Sequence, residues 1–142
     1  MSKVFWILSI LTLFLSNPLK AEVDYDLYLY RDIPIYVRVF GKLSNKGTQD
    51  IEITKVSCPE ISKDISFLKH IDDEVGDTYE KVDKLSIKAK ETLILKEGDQ
   101  AFLINMMTSP PKSLDRSKAY ILEMTVLEGG KERVDKIELK FK

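Results

Sequence analysis

Residues 120–141, YILEMTVLEGGKERVDKIELKF, give the clearest prediction of the fold class. Its first half places apolar residues at every second position from Tyr120 to Val126, and its second half does the same from Ile137 to Phe141. Glu128-Gly129-Gly130-Lys131 separates the two halves and is typical of a tight hairpin turn. A period of two marks half-buried strands with one wet face. The stretch therefore predicts a β-hairpin.

The same alternation recurs along the chain. It is present in residues 25–29, 35–40, 51–53, 65–67 and 93–95. Asn45-Lys46-Gly47 and Glu97-Gly98-Asp99 are turn sequences, and Pro110 and Pro111 interrupt the longest irregular piece, residues 108–113. No helical stripe extends beyond two turns. The pattern predicts an all-β protein of about seven to nine short strands in a two-sheet antiparallel sandwich.

Composition excludes several classes of function. The 142 residues carry a formal net charge of −1 and only one histidine and one cysteine. A balanced charge without a basic stripe argues against nucleic-acid binding. A single histidine and a single cysteine cannot build the common zinc sites or an internal disulfide. His70 is the only candidate imidazole base, and no serine lies in a Gly-x-Ser-x-Gly motif, so we predict that the protein is not an enzyme.

Residues 1–21 are predicted to be a secretory signal peptide. Lys3 precedes the apolar run Val4–Leu15, which is too short to span a bilayer but suits the core of an export signal. Ala21 fits the position before the cleavage site, although Leu19 is bulkier than usual there; a retained membrane anchor is the alternative. Cleavage removes two of the 22 basic residues and none of the 23 acidic ones, which leaves a net charge of −3. We expect an exported, periplasmic domain at residues 22–142 with no membrane span.

Two longer stretches carry information about a family. Residues 40–59 run from an aromatic strand through Asn45-Lys46-Gly47 to Val56-Ser57-Cys58-Pro59, and residues 81–98 hold two apolar strands that end in Leu95-Lys96-Glu97-Gly98. In order and spacing these motifs resemble the periplasmic copper chaperones of the PCu(A)C type, over residues 34–141. The resemblance implies a Greek-key sandwich of the cupredoxin-like, immunoglobulin-like kind. It also implies a role in delivering Cu(I) for respiratory oxidase assembly.

The copper site that this resemblance implies is altered. The family holds Cu(I) with a histidine, a methionine after ten intervening residues, and His-x-Met after twenty-one more; soft thioether and imidazole ligands favour Cu(I). The matched flanks place these ligands, without a gap, at Leu68, Tyr79, Ala101 and Leu103. The spacing is kept and all four ligands are replaced. These four residues are therefore also candidates for an apolar docking surface, or for a simple extension of the core.

Other soft ligands remain nearby. His70 follows Leu68 by two residues, and Met106 and Met107 follow Leu103 by three and four, so a relocated copper site is conceivable. The alternative is a strand-end histidine and two methionines that fill the core or a loop.

Two other groups of residues have both a functional and a structural interpretation. Cys58 is either a soft metal ligand or intermolecular disulfide partner, or a buried small hydrophobe, which we favour in an oxidising compartment. Asp72, Asp73, Glu74 and Asp77 suggest a calcium loop, but their spacing lacks the alternating ligands of such a loop and favours a solvated acidic turn.

Two functions of different classes follow. The first is a metallochaperone that still handles Cu(I) through His70, Met106, Met107 or a partner's ligands. The second is a metal-free β-sandwich module that binds a protein partner through the surface at Leu68, Tyr79, Ala101 and Leu103. All four ligand positions hold side chains that pack rather than coordinate a metal. At these positions, this favours the second function, the metal-free binding module.

Overall fold

The structure, a computed structural model, describes residues 22–73, 76–98 and 101–142. The predicted signal peptide lies outside the described residues, as does Glu74; the side chains of Asp72, Asp73 and Asp77 lie outside the description as well. The calcium hypothesis for these acidic residues therefore stays a prediction. No helix in the described part of the chain is long and apolar enough to cross a membrane.

Within these described ranges, ten strands form two stacked sheets. In chain order they are β1 (Val23–Ile33), β2 (Tyr36–Asn45), β3 (Ile51–Ser57), β4 (Asp64–Asp73), β5 (Gly76–Val82), β6 (Leu85–Ile87), β7 (Thr92–Leu95), β8 (Phe102–Met107), β9 (Tyr120–Glu128) and β10 (Lys131–Leu139). One sheet has the order β1-β2-β7-β8-β4-β5 and the other β10-β9-β3-β6. The strand pairs are antiparallel apart from a short parallel contact between β7 and β8. The predicted all-β sandwich is confirmed, with slightly more strands than the sequence pattern indicated.

The core lies between the two sheets. Alternate residues point inward, as the period of two requires. The six-stranded sheet contributes Leu29, Val37, Val39, Leu43, Ile104 and Met106, and the four-stranded sheet contributes Ile51, Ile53, Leu122, Met124, Val126 and Leu139, all fully buried. Each such side chain gains about 1.5–3 kcal/mol from leaving water. The protein therefore folds on packing alone, without a disulfide.

Two predicted turns take the expected form. Gly129 and Gly130 both have positive φ, at 57° and 77°, and connect Glu128 directly to Lys131 in the β9–β10 hairpin. At the end of β2, Asn45 is buried and its side-chain amide donates to the carbonyl oxygens of Gln49 and Ile87. Asn45 thus holds the β2–β3 loop against β6.

Gly41 is required by a close approach between β1 and β2. Its φ is 128°, and a Cβ placed there would lie 2.0 Å from the carbonyl oxygen of Asp26. Only glycine fits this position without a backbone shift. The pairing of Leu27 with Gly41 keeps the β1–β2 hairpin in register beside Phe40.

Candidate functional site

The four positions that the resemblance assigns to copper ligands converge at one end of the six-stranded sheet. Leu68 in β4 pairs directly with Leu103 in β8. Tyr79 in β5 pairs with His70, and the His70 backbone N–H donates to the carbonyl oxygen of Ala101 at 2.9 Å. Residues far apart in sequence are therefore brought together around His70.

These residues lie on the outer face of the sheet, away from the four-stranded sheet. Phe67 and Ile104 face the core, so their neighbours Leu68 and Leu103 face the other way. Val39 pairs with Ile104, which places Phe40 beside Leu103 on the same outer face. We call Phe40, His70, Ala101 and Leu103 the outer cluster.

The outer cluster is a second, smaller buried group. Leu103 is 1% exposed, His70 2% and Ala101 8%, although outer-face residues of a sandwich usually meet water. Aromatic rings surround it: His70 packs edge-on against Tyr79 at 5.3 Å, and Phe40 lies 5.4 Å from Tyr30 between ring centroids. The Tyr79 hydroxyl also accepts a hydrogen bond from the Gly98 backbone N–H, which ties the turn after β7 to this end of the sheet.

Burial corrects the predicted docking surface. Ala101 and Leu103 are packed inside and cannot present a surface to a partner. Only Leu68, which is half-buried, and Tyr79, which is 36% exposed, keep accessible side chains. For Ala101 and Leu103 the structure thus agrees with the alternative given above, an extension of the core.

The residues at these four positions do not fit Cu(I). Leucine and alanine have no donor atom, and a tyrosine hydroxyl is a hard oxygen ligand. No group of three His, Cys, Asp or Glu side chains suited to a metal ion occurs within the described parts of the chain. The chemistry available at this end of the sheet is packing and hydrogen bonding.

The structure does not bring His70 together with Met106 or Met107. Met106 pairs with Ile65, five residues from His70 along β4, which is about 16 Å at the rise of a strand. Met106 faces the core, whereas His70 faces outward. Met107 pairs with Asp64, one residue further away. A single ion needs its ligands near 2 Å, so the predicted soft-ligand set forms no preformed site.

Cys58 is fully buried at the end of β3, as favoured above. Its backbone oxygen accepts hydrogen bonds from the N–H groups of Ile61 and Ser62, each at 3.0 Å, which closes the turn after Pro59. Burial raises the pKa of the thiol to about 11. The side chain therefore stays protonated and inert at neutral pH.

A cavity that sequence analysis missed opens on the outer face between β2, β4 and β8. Its volume is about 310 Å³, and its walls are Tyr36, Arg38, Asp64, Ser66, Leu68, Lys81, Asn105 and Met107. Arg38 forms an ion pair with Glu97 in the turn that follows β7. The sequence held one signal that the outer face of β8 is partly apolar. Residues 102–104 and 106–107 are apolar without alternation, whereas a strand with one wet face alternates.

Comparisons with known proteins agree with this architecture. No known family profile and no curated protein matches the chain. Among solved structures, the apo PCuAC domain of PmoF2 superposes with a TM-score of 0.58 at 10% identity, over 84% of this chain and 87% of that one. The copper-bound PCuAC domain of PmoF2 gives 0.58 at 9% identity, over 84% and 90%. The apo PCuAC domain of PmoF1 gives 0.57 at 10% identity, over 86% and 96%. The chain therefore has the fold of PCuAC domains.

Proposed function

We propose that this chain is an exported, periplasmic protein of the copper-chaperone type that acts by docking a protein partner, in the setting of respiratory oxidase assembly. In this role it does not carry Cu(I) on a His/Met set of its own. One observation carries the proposal: none of Leu68, Tyr79, Ala101 and Leu103, at the positions that the resemblance assigns to the copper ligands, offers a soft ligand, and Ala101 and Leu103 are buried by packing. The apolar run at residues 4–15 supports export.

The docking surface of this proposal is the accessible part of the outer face. Tyr79 and Leu68 lie at one end, and Tyr36 and Met107 line the adjoining cavity. Aromatic and methionine side chains are enriched at protein interfaces, and the polar walls of the cavity supply a rim. We propose binding rather than catalysis, and the 2% exposure of the single histidine, the candidate imidazole base, supports this.

A Cu(I) titration tests the metal-free part of the proposal. The reduced protein, under argon, competes with a chromogenic Cu(I) chelator. We expect the wild-type protein to withdraw no copper. The fourfold variant L68H/Y79M/A101H/L103M, checked by circular dichroism for retained strand structure, should withdraw one equivalent, which shows that the assay detects a site at this location. Stoichiometric capture by the wild-type protein that His70→Ala abolishes would overturn the proposal and establish copper handling at His70.

Site-specific crosslinking in the producing cell tests the docking part. A photoreactive residue replaces Tyr79 on the outer face, and a matched control replaces Ile121, which is 43% exposed on the four-stranded sheet. Irradiation should give a discrete adduct of one size from position 79 and none from position 121. Equal adducts from both positions, or none from either, would contradict docking through this face.

A further inference from the structure

A cationic cup lies where the β1–β2 turn meets the loop that follows β8. The cavity has a volume of about 390 Å³, and its walls include the cations Arg31, Lys112 and Arg116 and the apolar residues Ile33, Pro34 and Pro111. None of the described residues that line it is acidic. The cup lies at the far end of β8 from the outer cluster, and it shares no lining residue with the cavity of the proposed docking surface.

The charged groups of the cup are held in place before any ligand arrives. The Arg31 guanidinium donates to the carbonyl oxygen of Lys112 at 2.6 Å and to that of Pro34. The Arg116 guanidinium lies over the Phe141 ring, 5.4 Å from its centroid. Groups fixed in advance lose little conformational entropy when they bind.

Hydrogen bonds hold the loop against the turn. The Thr108 backbone N–H donates to the carbonyl oxygen of Ile35 at 2.8 Å, and its hydroxyl donates to that of Pro34 at 3.2 Å. Lys112 Nζ donates to the carbonyl oxygen of Glu60 at 2.5 Å. Backbone carbonyl oxygens therefore accept the hydrogen bonds that join the walls of the cup. A carbonyl oxygen carries no net charge, so these contacts leave the positive charges of Arg31 and Lys112 in place.

The neighbouring carboxylates have other partners. Glu60 forms its ion pair with Lys118, and Asp115 accepts hydrogen bonds from the backbone N–H and hydroxyl of Ser117. The hydrogen bonds from Ser117 do not neutralise Asp115, but no ion pair among the described residues joins a carboxylate to Arg31, Lys112 or Arg116, so these three cations can meet a ligand.

We propose that the cationic cup binds a phosphate monoester. A phosphate monoester carries a charge of about −1.5 to −2 and three strong acceptor oxygens. It can therefore accept hydrogen bonds from three cationic side chains, whereas a carboxylate has a single charge and two oxygens. Ile33, Pro34 and Pro111 provide an apolar wall for the organic part of the ester. The phosphate belongs either to a soluble ester or to a lipid headgroup with the same chemistry.

Calorimetric titration of the purified protein, expressed from the 142-residue sequence, tests the cup. The probes are phenyl phosphate, inorganic phosphate and a triglutamate peptide. We expect phenyl phosphate to bind more tightly than inorganic phosphate because of the apolar wall, and binding to weaken as salt screens the charges. Arg116→Gln should weaken phenyl phosphate binding by about tenfold or more, since a charge-assisted hydrogen bond is lost. Lys131→Gln removes the same charge at the distant β9–β10 turn and should change nothing.

A second variant guards against loss of folding. Arg31→Lys keeps the charge but loses the two-pronged geometry of the guanidinium, and it should also weaken binding. Flotation with vesicles of phosphatidic acid, against phosphatidylcholine alone, separates a lipid source of the phosphate from a soluble one. Absence of saturable binding, equal affinity for triglutamate, or equal weakening by Lys131→Gln would each overturn the proposal. These results leave the copper and crosslinking experiments unaffected.

Discussion

Leu103 points away from the main core and is nevertheless 1% exposed. Its neighbours on the outer face are Phe40, across the β2–β8 pair, and Leu68, across the β4–β8 pair. A leucine enclosed in this way contributes as much as one between the sheets. The resemblance assigns a sulfur ligand to this position, where Leu103 is a packed apolar side chain.

Substitution of Leu103 measures that contribution. Leu103→Ala should lower the free energy of unfolding by about 2–4 kcal/mol, because a buried side chain is lost and a cavity remains. Ile94, on the same face of the sheet but 48% exposed, is the matched control, and Ile94→Ala should cost less than about 1 kcal/mol. Urea unfolding measures both. Equal losses of unfolding free energy for the two variants would show that Leu103 in the outer cluster stabilises the fold no more than an exposed residue does.

Cys58 gives a second test at the level of a single side chain. Burial and a raised pKa should make its thiol unreactive toward Ellman's reagent at neutral pH, and denaturing urea should make it react stoichiometrically. Ser86→Cys places a second thiol at an exposed position in β6, which should react at once in the folded protein. Rapid labelling of the wild-type protein would contradict the burial of Cys58.

Among the strands, β1 and β10 are joined across the open side of the sandwich. Tyr25 in β1 donates its hydroxyl hydrogen to Asp135 in β10 at 2.5 Å, and Arg133 donates to the same carboxylate at 3.1 Å. Arg133 also donates to Glu128. Burial and then the Asp135 carboxylate hold the pKa of Tyr25 well above its ordinary value.

This link predicts a pH dependence of stability. Above about pH 10 the tyrosine of the unfolded chain loses its proton while the folded one keeps it, so folding stability falls as the pH rises. Below that pH the contribution is fully present. Tyr25→Phe should flatten the fall by up to about 1.4 kcal/mol per pH unit, as measured by urea unfolding between about pH 9 and 11. Cys58 titrates in the same window but is common to both proteins, so it cancels. Parallel stability curves would contradict the link.

The sequence predicts which segments form strands, but it does not predict which strands pair with each other. The alternation from Tyr120 to Phe141 fixes two strands and Gly129-Gly130 fixes the turn between them, because these signals are local. The pairing of β2 with both β7 and β8 depends on contacts between distant parts of the chain, which no local pattern contains. The convergence of Leu68, Tyr79, Ala101 and Leu103 came from a resemblance. The burial of Ala101 and Leu103 involves neighbours from distant parts of the chain, such as Phe40 in β2, which no local pattern identifies.

At the scale of the whole molecule, the last residues close the gap between the two sheets. After β10 the chain crosses to the edge of the six-stranded sheet, where the Leu29 backbone N–H donates to the carbonyl oxygen of Lys140 at 2.8 Å and the Lys142 N–H donates to that of Leu29 at 3.1 Å. Phe141 packs edge-on against Tyr120 at 6.1 Å between ring centroids. The β1 edge of the larger sheet is thereby occupied at Leu29, which hinders the pairing of another chain at that point.

Loss of the Phe141 ring should loosen this closure. Phe141→Ala should lower the free energy of unfolding by about 2 kcal/mol, since a partly buried aromatic contact is removed. Lys140→Ala, at an exposed neighbouring position, should leave stability within about 0.5 kcal/mol of the wild-type value. Urea unfolding of the two variants side by side provides the comparison. If Phe141→Ala is as stable as Lys140→Ala, the contact between Phe141 and Tyr120 does not stabilise the fold.

The outer cluster also bears on how long such a molecule survives in the cell. A ligand that binds only the folded state adds stability in proportion to the logarithm of its concentration, so a protein built around its cargo becomes easier to degrade when the cargo is scarce. Here Leu103, Ala101 and Phe40 complete that end of the sheet with side chains already present in the chain. Under the proposed function copper adds nothing to the stability of the folded state, so we expect degradation of the protein to depend on its own packing and to be equal in copper starvation and copper excess.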